Sequence, residues 1–271
     1  MNPVTQLAEA RVAIIGLGLM GGSLAMALRG KCFLLMGVDS DPNTLSLALE
    51  RGVVDLASHD PAQLLSKANL IILAIPVRSI LSFLKDLPQF QPHPAVVLDL
   101  GSTKSAILES MNQLPNRFDP VGGHPMCGSE KSGFTYADPL IYKNAPFALC
   151  PLSRSSPIAR TLVQQCVQAI GARSIWLDAD IHDRWVAATS HLPYLVSNAL
   201  AASTPLETTP LIGPGYRSTT RLAASPVQMM VDILSTNRRN ILDALHRFRT
   251  QLGLIENYLE SGNEELLRDL L

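Results

Sequence analysis

Four apolar residues, Val12-Ala13-Ile14-Ile15, run without a break into Gly16-Leu17-Gly18-Leu19-Met20-Gly21 and on into Ser23-Leu24-Ala25-Met26-Ala27-Leu28. A strand that enters a glycine turn and leaves it as a helix restricts the fold severely. The first glycine permits the tight turn, and the second lets backbone N–H groups approach a pyrophosphate. The third allows close helix–strand packing, with the positive end of the helix facing the anion. The next apolar run, residues 33–38, ends in Asp39, about 20 residues past the turn, where the dinucleotide fingerprint places an acid for the ribose hydroxyls. Gly16, Gly18, Leu19, Met20, Gly21, Asp39, Ser40, Ile75 and Pro76 are therefore the candidate cofactor residues. The plainer alternative is a glycine turn in a doubly wound sheet that binds nothing. Asp39-Ser40-Asp41 presents two carboxylates and no arginine where a 2′-phosphate would sit, so NAD is expected over NADP.

A chain of 271 residues holds one large domain or two ordinary ones. With 47% hydrophobic residues and Lys+Arg 22 against Asp+Glu 23, it supports a sizeable core and carries no basic footprint for nucleic acid. Cys32, Cys127, Cys150 and Cys166 show no metal spacing, so reduced thiols in a cytoplasm are expected, without a metal. The apolar N-terminal stretch is broken by glycines and reads as the cofactor motif rather than as a signal peptide or membrane span.

Short apolar runs at 70–75, 95–99, 145–150 and 174–177 alternate with helical stretches, among them one started by Asp41-Pro42 and one over 157–170. That alternation predicts an α/β fold: a doubly wound parallel sheet of dinucleotide-binding type over residues 1–178. The turns after Ile15, Val38, Ile75, Asp99 and Val121 should then open on one crevice at the carboxyl edge. Past Asp178 no strand-like run appears. Ile241, Leu245, Phe248, Leu252, Ile255 and Leu259 form an apolar seam with alternating spacings of four and three. Residues 179–271 are thus expected to be an all-helical domain that binds substrate and pairs two copies into a homodimer.

Three further segments carry polar groups that a packed core does not choose. In Gly122-Gly123-His124-Pro125, the histidine is expected in a glycine-flanked loop at the carboxyl edge, as a base for a hydroxyl proton. Ser102, in Asp99-Leu100-Gly101-Ser102-Thr103-Lys104, either bonds the same hydroxyl or caps the helix that begins near Lys104. His191 precedes Pro193 and either binds substrate or satisfies carbonyls freed by the proline. Arg217 and Arg221, four apart, either grip a carboxylate or form a solvated face.

With GLGLMGGS, DLGSTKSA, GGHPMCGSEKSG, ATSHLPY and GYRSTTRLA in this order, the chain resembles the prephenate/arogenate dehydrogenase family of tyrosine biosynthesis, from Arg11 through the C-terminal helices. The resemblance implies oxidation of the C4 hydroxyl of a cyclohexadienol, with hydride passing to NAD(P)+ and the C1 carboxylate leaving as CO2. It also implies that His124 is the base with Ser102 beside it. His191 and Arg221 then fall at substrate-binding positions, Arg217 in the pocket lining, and Ser129 and Glu130 at the pocket edge near the substrate tail. Several relatives carry Asp where this chain has Ser218, which removes one ionic partner from that region. A β-hydroxyacid dehydrogenase or imine reductase, which also opens with GLGLMG, usually has a catalytic lysine on a second-domain helix, and this chain has none after Lys143. A nucleotide-sensing binding protein of the same fold is the non-enzymatic rival, and it has no need of both His124 and an arginine pair.

Overall fold

The computed structural model describes residues 4–128 and 131–271. Its contacts divide the chain into two units. The first reaches to His182 and takes in Ser225–Ile233, and the second comprises Asp183–Ala224 and Leu234–Leu271.

The first unit is built on eight strands: β1 (Arg11–Ile15), β2 (Leu34–Val38), β3 (Leu56–Ser58), β4 (Leu70–Leu73), β5 (Ala95–Asp99), β6 (Phe118–Pro125), β7 (Pro146–Pro151) and β8 (Arg173–Trp176). They lie in the order β3-β2-β1-β4-β5-β6-β7-β8. Helices α1 (Leu19–Leu28), α2 (Pro42–Glu50), α3 (Ala62–Leu65), α4 (Val77–Phe90), α5 (Ser105–Asn112) and α6 (Pro157–Ala169) fall between the strands in sequence. Every residue of β4 and β5 is buried, as a strand covered on both faces requires. The helix starts follow local chemistry. Asp41 accepts from the N–H groups of Asn43 and Thr44 ahead of Pro42, and Ser156 accepts from that of Ala159 ahead of Pro157.

Strands β2, β1, β4, β5 and β6 are neighbours and parallel, so their carboxyl ends share one edge. Strand order reverses between β1 and β4, the position where such sheets bind ligands. Two local expectations are corrected. The 145–150 run is not parallel to its neighbour: β7 pairs antiparallel with β6. The chain between them makes 3-10 turns at Phe134–Tyr136 and Pro139–Tyr142 in place of the helical crossover that a parallel return needs. His124 is likewise not in a loop but in β6, opposite Ala148. Gly122 and Gly123 do not end the strand because packing, not turning, requires them. A Cβ at Gly123 would lie 2.5 Å from the Asp99 carbonyl oxygen, and one at Gly122 3.0 Å from the Leu108 side chain. The three-residue β3 at the sheet margin was too short to read from periodicity.

The remaining elements are helical: α7 (Ala179–Val186), a π-helical turn at Ala187–His191, α8 (Leu192–Ser203), α9 (Pro214–Thr220), α10 (Val227–Thr236), α11 (Arg238–Glu260) and α12 (Glu264–Leu270). Within the second unit Ala187, Ile241 and Ala244 form a small core with Leu192, Leu195 and Leu234 against it. The seam on α11 is buried only at its start. Ile241 is 5% exposed, whereas Leu252 is 48% and Leu259 63% exposed. Among the described residues no helix is long and apolar enough to cross a membrane.

The fold makes one position a sharp probe of the cofactor turn. Leu17 is fully buried, and a Cβ on Gly37 of β2 would stand 2.6 Å from its Cδ1. Gly37→Val should push Leu17 out of place and destabilise the protein by about 1–3 kcal/mol. A lowered denaturant midpoint at unchanged m-value is the expected result, and an unchanged midpoint would show that Leu17 is not clamped there.

Candidate active site

The glycine turn sits at the carboxyl end of β1. Gly16 has φ of +90°, and a Cβ there would meet Ile75 Cγ2 at 2.6 Å and the Ala74 carbonyl oxygen at 2.7 Å, so Ile75 borders the turn directly and Pro76 follows it in the chain. At Gly21 a Cβ would fall 1.8 Å from the carbonyl oxygen of Gly16. Gly18 is different: a Cβ there meets no protein atom within 4 Å. Gly18 is also the N-cap of α1, with no side-chain cap, so the first-turn N–H groups that include Leu19, Met20 and Gly21 keep their pull on an anion. Missing side-chain bulk at a helix N-terminus is what a pyrophosphate needs.

Asp39, at the end of β2, accepts from the Leu17 N–H through Oδ2 at 2.7 Å and from the Asp41 N–H through Oδ1 at 2.9 Å. An ionised carboxylate has about four acceptor positions, so two ribose hydroxyls can be accommodated beside these bonds. Ser40 follows it on an exposed turn. The turn is braced from behind. The buried Tyr142 hydroxyl donates to the Met20 carbonyl at 2.7 Å, and burial pushes its pKa well above the usual phenol range, which keeps the donor proton in place. Ser23 Oγ donates to Leu19 O at 2.6 Å and accepts from the Asp138 N–H at 2.9 Å. These residues fit a nicotinamide dinucleotide at the pyrophosphate and at the adenosine ribose.

Four strands' ends away in chain order, Asp99 closes β5 with a side chain that is completely buried. It accepts from the Gly101 N–H at 2.8 Å and the Gly123 N–H at 3.1 Å, and forms a buried ion pair with Lys104. Lys104 Nζ in turn donates to the Gly123 carbonyl at 2.6 Å. Both backbone groups of Gly123 are thereby fixed, one residue before His124. His124 is 9% exposed, and its Nδ1 lies 2.8 Å from Nε2 of His182, itself 2% exposed and carried on α7. The imidazole rings meet edge to face, 5.0 Å between centroids at 69°. A buried imidazole at the carboxyl edge, on a strand whose backbone is locked on both sides, is suited to proton transfer. Ser102 lies in the β5–α5 connection at the same sheet edge. It is not the cap of α5, which begins at Ser105 with Lys104 at the N-cap position and no side-chain cap. Ser129 and Glu130 lie outside the described residues.

In the second unit Pro193 does not end the helix. The missing proline N–H is absorbed by the π-helical turn Ala187–His191, and the chain continues as α8. His191, 1% exposed, closes that turn, with its Nδ1 3.3 Å from Asn237 Nδ2. Asn237 Nδ2 also donates to the Asp183 carbonyl at 2.7 Å, and its Oδ1 accepts from Asn240 Nδ2 at 2.8 Å. Arg217 lies on α9, and Arg221 opens the 3-10 turn after it; both are exposed. Among the described residues no cluster of His, Cys, Asp or Glu is arranged to hold a metal ion.

Sequence reasoning missed His182, Tyr142, Asn237 and the locking role of the Asp99–Lys104 pair. The adjacent polar pair His182-Asp183, on a helix that buries both, was the signal available for the first. Nothing local marks the others, whose partners lie 122, 46 and 19 residues away in the chain.

Comparison with known proteins gives a consistent picture. Residues 24–176 match the family model described as prephenate dehydrogenase, nucleotide-binding domain, and residues 178–271 match prephenate dehydrogenase, dimerization domain. The chain is 31% identical over 268 residues to prephenate dehydrogenase of Bacillus subtilis, covering 94% of this chain and 72% of the relative. The crystal structure of prephenate dehydrogenase from A. aeolicus in complex with hydroxyphenyl propionate and NAD+ superposes with a TM-score of 0.89 at 31% identity, over 97% of this chain and 95% of that one. Synechocystis arogenate dehydrogenase follows at a TM-score of 0.83 and 30% identity, over 96% and 95%.

The buried ion pair makes its own forecast. Lys104→Met leaves a buried carboxylate without its counter-charge and should destabilise the protein by about 3–5 kcal/mol. Adding Asp99→Asn should recover at least half of that loss in urea unfolding. Additive losses would mean that the two side chains do not act as a pair.

Proposed function

The chain belongs to the prephenate dehydrogenase family, and from that premise we propose that it oxidises the ring hydroxyl of a cyclohexadienol acid, prephenate or arogenate, releasing the ring carboxylate as CO2. Bound NAD supplies the hydride acceptor. The observation that carries the reading is the position of His124: a buried imidazole at the carboxyl end of β6, on the edge where the glycine turn also opens.

His124 takes the hydroxyl proton as the C–H bond breaks, and Ser102 bonds the same hydroxyl or the imidazole. Arg221 pairs with a substrate carboxylate, His191 and Arg217 complete the binding of the acid, and Ser129 and Glu130 meet the substrate tail. Arginine suits the task because its planar guanidinium can bond a carboxylate bidentately. The first-turn N–H groups of α1 hold the pyrophosphate, and Asp39 and Ser40 hold the adenosine ribose. The Asp39 and Asp41 carboxylates favour NAD over NADP, since a 2′-phosphate would bring a like charge against them. The exposed half of the α11 seam supports a homodimer: Leu252 and Leu259 lie open on a domain whose family model is named for dimerization. A cytoplasmic setting, without nucleic-acid or membrane partners, completes the reading.

The test is direct. Purified protein is mixed with prephenate or arogenate and NAD+ or NADP+, and reduced nicotinamide is followed at about 340 nm. Turnover of either acid is expected, and none with either would overturn the proposal. In the same assay His124→Asn should lower kcat by at least ~10²-fold, and full activity would remove His124 from the chemistry. Asp39→Ser with Ser40→Arg should move preference toward NADP+. Because Asp39 also holds the Leu17 N–H, that variant should melt at a lower temperature as well. Unchanged preference would show that the carboxylate does not read the ribose.

A further inference from the structure

We propose that His182 is a positioning residue for His124: its Nε2 accepts a hydrogen bond from the Nδ1–H of that imidazole and so leaves Nε2 of His124 as the nitrogen that receives the substrate's proton. The inference rests on the reading of His124 as the base. It comes from the one short contact between the two buried rings, Nδ1 of His124 to Nε2 of His182 at 2.8 Å.

Two imidazole nitrogens at that separation share a single proton between them, so only two neutral arrangements exist. In one, His124 carries its proton on Nδ1 and donates to a bare Nε2 of His182. Its own Nε2 then holds a lone pair. In the other, His182 donates, and the remaining proton of His124 sits on Nε2, which leaves that nitrogen unable to accept another. Only the first arrangement lets His124 act as a base through Nε2.

The first arrangement also improves as the reaction proceeds. When Nε2 takes the hydroxyl proton, His124 becomes an imidazolium, and the bond from Nδ1 to His182 becomes charge-assisted and stronger. A carboxylate behind the ring would do this too, but it would also favour the protonated imidazole before substrate arrives. A neutral imidazole acceptor adds no charge to the resting pair and keeps His124 ready to accept. No proton passes to His182. The proton lost by the hydroxyl ends on Nε2, and the Nδ1 proton stays where it was.

Each ring is carried on a separately held element. His124 is fixed by its place in β6 against β7 and by the locked Gly123, and His182 by α7, where its N–H donates to the Asp178 carbonyl at 2.9 Å. Among the described residues, the ionisable groups on surrounding elements include the Asp99–Lys104 pair behind Gly123, and Asp178, Asp180, Asp183 and Arg184 on or beside α7. Asp180 Oδ1 accepts from Ser105 Oγ at 3.2 Å, and β7 offers no charged side chain.

The test compares His182→Leu with His182→Gln, whose amide oxygen can reach the place of the lost Nε2 and accept the same bond. In the leucine variant kcat should fall by about 10²-fold while KM for the acid stays within about 3-fold, since the lost bond strengthens only as charge develops. The acidic limb of its kcat profile should move to lower pH, because an imidazolium without its acceptor gives up its proton more readily. The glutamine variant should restore most of kcat and return the limb toward wild type. Equal loss in both variants, or wild-type kcat in the leucine variant, would overturn the proposal. A second readout needs no turnover. In the unliganded protein with 15N-labelled histidine, NMR should find the Nδ1–H tautomer of His124 and a bare Nε2 on His182. The opposite tautomers would refute the assignment even if the wild-type enzyme oxidises prephenate or arogenate, whereas an inactive wild type with the expected tautomers would count against the proposed reaction instead.

Discussion

One buried carboxylate organises the carboxyl edge of the sheet. Asp99 ends β5 inside the protein, takes the backbone N–H groups of Gly101 and Gly123, and is neutralised by Lys104, which also reaches the Gly123 carbonyl. A buried ion pair of this kind is weak evidence for stability, because removing two charges from water offsets most of their attraction. Its value here is geometric. It ties the β5–α5 connection to β6 and fixes both backbone groups of the residue before His124. The imidazole inherits a direction from the main chain before any side-chain contact is counted.

The glycines on β6 answer to close packing from neighbouring elements, and at Gly123 the neighbour is Asp99 itself. A Cβ on Gly123 would lie 2.5 Å from the Asp99 carbonyl oxygen, and one on Gly122 would press on the Leu108 side chain at 3.0 Å and on the Cys150 carbonyl oxygen at 3.2 Å. In sequence they look like a loop signal, and a loop was the natural expectation. A glycine pair marks either a turn or a close approach, and only the neighbouring chain tells which. Where the signal is local, the sequence was legible. The strand–turn–helix of the cofactor site, the proline-led helix starts and the all-helical second half were all readable, because each depends on residues within a few positions of one another. The antiparallel return of β7 was not, since strand direction is decided by how the intervening chain travels. The His124–His182 contact was not legible for the same reason: it joins a strand to a helix 58 residues further on.

The second half shows how a residue can carry a local function and a global one together. Pro193 removes a backbone donor, and the chain answers with one π-helical turn instead of a break. That turn buries His191 beside Asn237, which also holds the Asp183 carbonyl. Meanwhile α11 covers its first apolar positions within its own unit and leaves later ones open, as a seam divided between an internal core and a second copy requires.

The bond from the Leu17 N–H to Asp39 has a consequence for how this fold exchanges one nucleotide for another. The acid proposed to discriminate at the sugar is also a strut of the turn proposed to receive the phosphates, so on that reading the two recognition tasks share a part. A single replacement at that position changes the lock and loosens its mounting at once. Conversion of such an enzyme to the phosphorylated nucleotide therefore calls for a compensating brace as well as a new cation.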